Sequence, residues 1–297
     1  STIIRNCRIV QGSSLSDSHA IFLNRSGSSR IENNNLTTLG ASSGIGLSDS
    51  SLATIIQNNI TTSGSNGHGI LFISKSGGNQ FSQTRVKTTG INSNALHILD
   101  GAHNFTLSDS VLEAISADDF FINVSVTGGE WNLTNTTFVD RARAAGANGV
   151  LNVHWYLDAN VTNGLNEGID TADVNISDIF NSSRIITTSA TGIIPRQTLI
   201  EYSENRTNTG FFTNYTITAS KIGYASKKVS LNLTRSTQLN IFLNKSPDIA
   251  QHYPIASEKV ITLGLAELNY SVTDIDNDIM EVWVYGSNDS SRLGDFL

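Results

Sequence analysis

Apolar residues recur in fixed pairs along the first half of the chain. Ile4/Ile9, Ile31/Leu36, Ile55/Ile60, Phe81/Val86, Leu107/Leu112 and Leu133/Phe138 are each five apart, and successive pairs are offset by 27, 24, 26, 26 and 26 residues. A second pair follows each of the first five: Ile21/Leu23, Ile45/Leu47, Ile70/Phe72, Leu96/Ile98 and Phe120/Ile122. The runs that carry them, such as Thr54-Ile55-Ile56 and Gly69-Ile70-Leu71-Phe72-Ile73, are short and bounded by Asn-, Gly- and Ser-rich turns, which predicts strands. A unit of about 25 residues with several short strands cannot bury its own apolar face, so neighbouring units must stack. The pattern predicts an all-β chain that opens with a right-handed parallel β-helix over residues 1–145. Six turns at about 4.8 Å each give a rod of roughly 29 Å.

A polar column runs beside the apolar one. Asn6, Asn33, Gln57, Gln83, Asp109 and Asn135 each stand two residues after the first apolar position. An amide or acid at one place in every turn predicts a hydrogen-bonded side-chain ladder on the apolar face, beside a bend. The plainer reading is that such residues suit turns.

The period fails after Phe138, and Asp140-Arg141-Ala142-Arg143-Ala144-Ala145-Gly146 reads as the coil's end or a cap. From residue 149 the alternating runs lengthen, at 150–157, 214–220, 228–233 and 237–243, which predicts a β-sandwich over 149–245. Ser246-Pro247-Asp248 reads as a linker. Runs at 259–263, 268–272 and 281–285 begin a partial Ig-like or cadherin-like domain over 252–297. The chain opens inside a repeat and stops within that domain, as a trimmed or mature piece of a longer protein would.

Composition narrows the partners. The net charge of -7, with no basic stripe, argues against nucleic acid. No run of 18 apolar residues offers a membrane span. The single cysteine, Cys7, excludes a disulfide framework and is expected as a buried free thiol. Sixteen Asn-x-Ser/Thr sites occur, among them Asn24, Asn35, Asn59, Asn104, Asn132, Asn175, Asn214, Asn232 and Asn288. Chance gives roughly seven, so the excess points to glycosylation and an extracellular or cell-surface location. The competing reading is that Asn-rich turns leading into Thr-rich strands generate such triplets on their own.

Segments such as Ile55-Ile56-Gln57-Asn58-Asn59-Ile60 and Asn66-Gly67-His68-Gly69-Ile70 resemble the pectin-lyase-like β-helix repeats of secreted and surface proteins, including the periplasmic copper-site family NosD. The resemblance covers roughly 1–145 and implies a fold more firmly than an activity. Residues 214–243, above all Tyr215 to Tyr224, resemble the small carboxypeptidase-regulatory-like sandwich, with 158–163 and 191–195 fitting loosely. That module follows β-helices in archaeal and bacterial surface proteins, and the resemblance implies a spacer or adhesive unit.

Three sets of residues suggest chemistry. Asp274, Asp276 and Asp278 alternate in a way that suits calcium, although Ile279 and Tyr285 break the EF-hand pattern. His68, Arg85 and Lys87 are similar to short motifs of the polygalacturonases, in which paired carboxylates do the acid/base work. Here only Asp49 lies near, Asp118-Asp119 follow two turns later and the family's Asn-Thr-Asp motif is absent. His19 and His68 share a register two turns apart, close to 10 Å, too far for one metal ion. No residue set therefore supports copper. Trp155 and Tyr156 are expected to pack, with one ring in the core by alternation.

The sequence thus favours a non-catalytic structural or adhesive segment of a secreted, glycosylated surface protein. Its expected partners are copies of itself, other surface proteins or carbohydrate. Self-assembly as a filament or lattice would use the first turn or the incomplete last domain, whose strand edges are open. The runner-up is a polysaccharide lyase or hydrolase, and a third class is a carbohydrate-binding adhesin without assembly.

Overall fold

The computed structural model describes residues 2–12, 18–123, 125–253 and 269–274, and what it describes is all-β. Five turns of chain each lay down three short strands. They are β1 (Ile3–Arg5), β2 (Arg8–Gln11) and β3 (His19–Asn24), then β4 (Arg30–Glu32), β5 (Asn35–Thr38) and β6 (Ser43–Ser48). The third and fourth are β7 (Thr54–Ile56), β8 (Asn59–Thr62) and β9 (Ile70–Phe72), then β10 (Ser76–Ser82), β11 (Arg85–Thr88) and β12 (Leu96–Ile98). The fifth is β13 (Gly101–Ser108), β14 (Val111–Ala114) and β15 (Phe120–Ile122). Strands stack in parallel with their counterparts one turn away, giving three long sheets around one core.

The apolar pairs fix the register. Ile4, Ile31, Ile55, Phe81, Leu107 and Leu133 stand directly above one another, as do Ile9, Leu36, Ile60, Val86 and Leu112. The third sheet stacks Ile21, Ile45, Ile70, Leu96 and Phe120 in the same way. A shift of one residue would turn every one of these side chains to water, so burial specifies the stack.

The coil holds five complete turns, one fewer than the sequence suggests. In the sixth, β16 (Val126–Thr134) and β17 (Arg141–Arg143) join the first and third sheets, but the second keeps only a bridge between Val111 and Thr137. The reason is local. The N–H groups of Val139 and Asp140 donate to the Asp119 carboxylate instead of to a strand. The segment read as a cap, 140–146, holds β17, paired with β15.

The polar column is corrected by one residue. Asn6, Asn33, Gln57, Gln83, Asp109 and Asn135 all have φ between +48° and +56°, and they turn away from the core. Asn and Asp tolerate this left-handed bend best, so turn chemistry explains the column. Only short outer rungs link its side chains, Asn33 to Asn6 and Asn135 to Asp109, each at 2.7 Å. The buried ladder is the next residue along: Asn34, Asn58, Thr84, Ser110 and Thr136, each at most 3% exposed. Asn58 Oδ1 accepts from the Asn34 backbone and side chain at 3.0 Å, while its Nδ2 donates to the carbonyls of Ile31 and Ile56 at 3.0 and 2.9 Å. Ser110 Oγ accepts from Thr84 N–H at 3.1 Å. Cys7 occupies the same column in the first turn, where no described turn stacks beyond it, and its thiol is exposed rather than buried.

One strand joins this rod to a second body of sheet. The first residues of β18 (Val150–Thr162) pair in parallel with β16, and its last residues pair with β25 (Thr237–Phe242). Its other edge pairs antiparallel with β21 (Gln197–Glu204), beside β22 (Thr209–Phe211). A second layer is β20 (Ser183–Thr187), β19 (Asp173–Ser177), β23 (Tyr215–Ser220) and β24 (Lys227–Leu231), all antiparallel. Leu157, Ala159, Val161, Leu199 and Ile241 from the first layer share a core with Val174, Ile176, Ile217 and Ala219 from the second. The boundary the sequence suggests near 145–149 is thus a place where one sheet runs on. Gly149 permits it, because φ is +110° and a Cβ there would lie 2.5 Å from the Trp131 ring. Farther on, β26 (Asp248–Tyr253) and β27 (Asn269–Thr273) pair antiparallel. The predicted strands at 259–263 and 281–285 lie outside the described residues.

Candidate functional site

The corner between the second and third sheets gathers the titratable groups. There the Thr38, Thr62 and Thr88 hydroxyls, all buried, donate across the loop to the carbonyls of Ser42, Gly67 and Ser93. In the fifth turn Ala114 N–H donates to Asp119, which is 4% exposed. The Gly67-His68-Gly69 motif belongs to this packing, since a Cβ on Gly69 would meet Val86 Cγ1 at 2.0 Å.

His68 does not meet His19. It meets His97 one turn away, the rings edge to face with centroids 4.2 Å apart. Asn94 N–H donates to His68 Nδ1 at 3.1 Å, so the His68 proton sits on Nε2 and is given to His97 Nδ1 at 2.9 Å. That places the His97 proton on Nε2, which is buried without a partner, and the Phe121 ring stands perpendicular to the imidazole with centroids 5.0 Å apart. Burial pushes His68 down to about 4; burial and then the neighbouring His68 push His97 down to about 3. Both rings are therefore neutral at ordinary pH. The pairing escaped the sequence reading because it joins different registers: His97 follows the core residue Leu96, while His68 stands two before Ile70.

The polygalacturonase-like set is dispersed. Arg85 and Lys87 flank buried Val86 on the second sheet and face outward. Both are engaged by Glu113, at 3.3 Å from Arg85 and 2.7 Å from Lys87. The Lys87 hydrogen bond holds the Glu113 carboxyl below its ordinary range. Asp49 is exposed at the bend after β6, the opposite end of the third sheet from His68. Asp119 is committed to the N–H groups of Ala114, Val139 and Asp140. Asp118 has its carboxyl raised by burial and then by Asp140.

A second polar surface lies on the outer face of the first sheet. Asn152 Nδ2 donates to Asn132 Oδ1 at 2.9 Å and to Glu130 at 3.2 Å, and Ser203 Oγ donates to Asn152 Oδ1 at 2.8 Å. Gln80, Asn104, Thr106, Glu130 and Asn132 line a shallow cleft of about 180 Å³ there. Trp155 packs against both cores and donates to Glu201, while the Arg196 guanidinium covers the Tyr156 ring at 4.7 Å.

The triplet asparagines divide by exposure. Asn24, Asn35, Asn59, Asn104, Asn214 and Asn232 are exposed, whereas Asn132 and Asn175 are half-buried. Alternation explains most of the pattern, because the middle residues Leu36, Ile60, Phe105, Leu133, Ile176, Tyr215 and Leu233 are all core. Asn288 lies outside the described residues, as do Asp276 and Asp278; Asp274, just after β27, is described. No group of three or more His, Cys, Asp or Glu able to hold a metal occurs among the described residues. No helix among them is long and apolar enough to cross a membrane.

Comparison with known sequences bears on the rod. No curated protein matches the chain. Residues 1–84, the first turns of the coil, match the family model described as periplasmic copper-binding protein (NosD).

Proposed function

We propose that this chain is a non-catalytic rod-and-module segment of a protein that works outside the cytoplasm, as a structural or adhesive part of a surface. The observation that carries this reading is β18, one 13-residue strand that belongs to the rod at one end and to the two-layered unit at the other. A shared strand transmits load and orientation, which a stalk needs and a catalyst does not. The periplasmic description of the matching family agrees with such a location. The two-layered unit is the spacer, which the carboxypeptidase-regulatory-like resemblance of 214–243 also implies. Glycans on the exposed triplets would solubilise a surface this poor in charge.

Copper, which the family's description names, does not fit the described residues. The best imidazole pair, His68 and His97, spends its facing nitrogens on a mutual hydrogen bond, and no third ligand joins it among the described residues. The calcium reading rests on Asp274, Asp276 and Asp278, of which the last two lie outside the described residues.

The test is electron microscopy of the purified chain together with a polysaccharide degradation screen. Rigid particles with no release of reducing or unsaturated ends are expected. Turnover of any polysaccharide that is lost in His68→Ala or Lys87→Ala would overturn the reading in favour of a lyase or hydrolase. The amide-rich cleft of Gln80, Asn104 and Asn132 favours a second reading, carbohydrate binding without assembly, which a glycan array separates.

A further inference from the structure

Two surfaces of this chain are complementary to each other, and no hydrogen bond or ion pair joins them among the described residues. The first is the turn Lys221-Ile222-Gly223-Tyr224, closed by Tyr224 N–H donating to the Lys221 carbonyl at 3.1 Å with Gly223 at φ +84°. It presents Ile222 at 97% exposure, the most exposed large apolar residue described. Beside it, the edge strand β24 carries exposed Lys227 and Lys228, and neither is in an ion pair among the described residues.

The second surface is the corner of the rod between the second and third sheets. Ile91, Ile115 and Val139 are 65%, 61% and 82% exposed in the loops of three successive turns at that corner, and Leu39, 58% exposed, lies two turns before Ile91. Single exposed aliphatics are ordinary, but a row along one edge marks a contact surface. Asp118 and exposed Asp140 flank Ile115 and Val139, and neither has an ion-pair partner among the described residues. Their mutual repulsion contributes to raising the Asp118 carboxyl, the condition an incoming cation relieves. The loop is held in place for this, because Asp119 fixes the backbone of Val139 and Asp140.

We infer that the Ile222 turn, with Lys227 and Lys228, docks on the Ile115–Val139 corner, with Asp118 and Asp140, of a second copy of this chain. The two surfaces differ, so the contact is heterologous and repeats head to tail into an open chain. Apolar burial at the centre with opposite charges around it is the arrangement stable contacts use. This rests on the surface-segment reading above and specifies its partner. It also moves the assembly contact away from the first turn and the last domain.

Zero-length carbodiimide cross-linking of the 297-residue chain, with peptide mapping, tests it alongside sedimentation. Intermolecular links from Lys227 or Lys228 to Asp118 or Asp140 are expected, with mass rising as concentration rises. Ile222→Asp and Asp140→Lys each weaken association roughly tenfold or more. Combining Lys228→Glu with Asp140→Lys restores it, which a merely misfolded variant would not do. A chain that stays monomeric to about 1 mM, or polymers indifferent to these substitutions, would overturn the contact. A monomer that still images as an inert rod leaves the surface reading standing, whereas polysaccharide cleavage sinks that reading whatever the cross-links show.

Discussion

The rod and the two-layered unit solve the same problem differently. Both must bury apolar strands without stranding polar backbone. The rod does so by repetition, with each turn supplying hydrogen-bond partners to the next, and its inner corners are polar. Every buried polar or charged residue described, apart from Asn163 and Thr188, lies in the rod. The layered unit faces two sheets across a core of Val174, Ile176, Ile217, Leu157 and Val161 and needs almost no buried polar side chains. Stability in the rod is therefore tied to specific bonds and to a fixed register. In the layered unit it is tied to apolar area, which tolerates substitution more easily.

The sharpest way to break that contrast is on β16, the rod strand paired with the strand the two regions share. Trp131 is fully buried, and its ring lies under the Arg143 guanidinium at 5.4 Å. Arg143 and Arg141 both reach Glu204 at the end of β21, at 3.6 and 2.8 Å, so the rod's end is clamped to the unit beyond. Trp131→Ala is expected to cost about 3–5 kcal/mol. Because β18 runs through both regions, urea unfolding followed by circular dichroism should remain a single transition at a lower midpoint. Two separated transitions would show that the rod and the layered unit are independent, and the stalk argument would lose its basis.

Next in size is the inner ladder. Asn58→Ala removes the buried acceptor for the Asn34 backbone and side chain and the buried side-chain donor to the Ile31 carbonyl, while the Ile56 carbonyl keeps the Asn33 N–H. Unsatisfied buried groups cost about 1–3 kcal/mol each, so a total loss of about 3 kcal/mol is expected. Asn58→Asp serves as a second measure, since it keeps the acceptor and loses the donor. If both variants unfold with the wild-type midpoint, the ladder is decoration and the rod's register comes from apolar stacking alone.

Acid should separate the regions further. His68, His97 and His103 sit in the rod, all lowered mainly by burial, while residues 157–245 contain no histidine. For a histidine lowered on folding, the unfolded chain binds the proton first. Its contribution is full above about pH 6.5, falls as pH drops below 6.5 and levels off below the folded values of about 4 and about 3. A slope of up to about 1 kcal/mol per pH unit for each of the pair allows for partial exposure. Carboxylates titrate in the same range, so the comparison is with His97→Gln, whose stability should depend less on pH between 6.5 and 4. Identical pH profiles would remove the histidine pair from the account.

Particular residues show what was legible in the sequence. The apolar pairs match the registers of the five complete turns, because a β-helix writes its stacking into spacing, but not the pairing of β17 with β15. The polar column was visible, but its direction was not. A left-handed bend at Asn33 and Gln57 turns the side chains outward and hands the inner place to Asn34 and Asn58, and strict alternation cannot anticipate that. Within 149–245 four strands were visible as alternating runs, β18, β23, β24 and β25, whereas β19, β20, β21 and β22 were not. Asp173–Ser177 and Ser183–Thr187 are only five residues each, broken by Asp178 and Asn181 turns. The His68–His97 pair was hidden because it crosses registers, and neighbours across a turn are set by side-chain direction as well as by spacing.

The smallest expected effect is the most direct comparison of the two regions. Asn175 on β19 is the layered unit's comparison with Asn58, which sits in the bend between β7 and β8, yet the Asn175 Oδ1 is buried with no partner. Removing a polar atom that already lacks a bond forfeits nothing, and the desolvation cost it carries disappears with it. Asn175→Ala should therefore leave the unfolding midpoint within about 0.5 kcal/mol of wild type, or raise it slightly. Measured beside Asn58→Ala in the same urea series, it asks whether identical chemistry costs differently in a ladder and in a sandwiched layer. Equal losses at the two positions would mean that Asn175 has a partner in solution, and that the layered unit depends on polar bonds as the rod does.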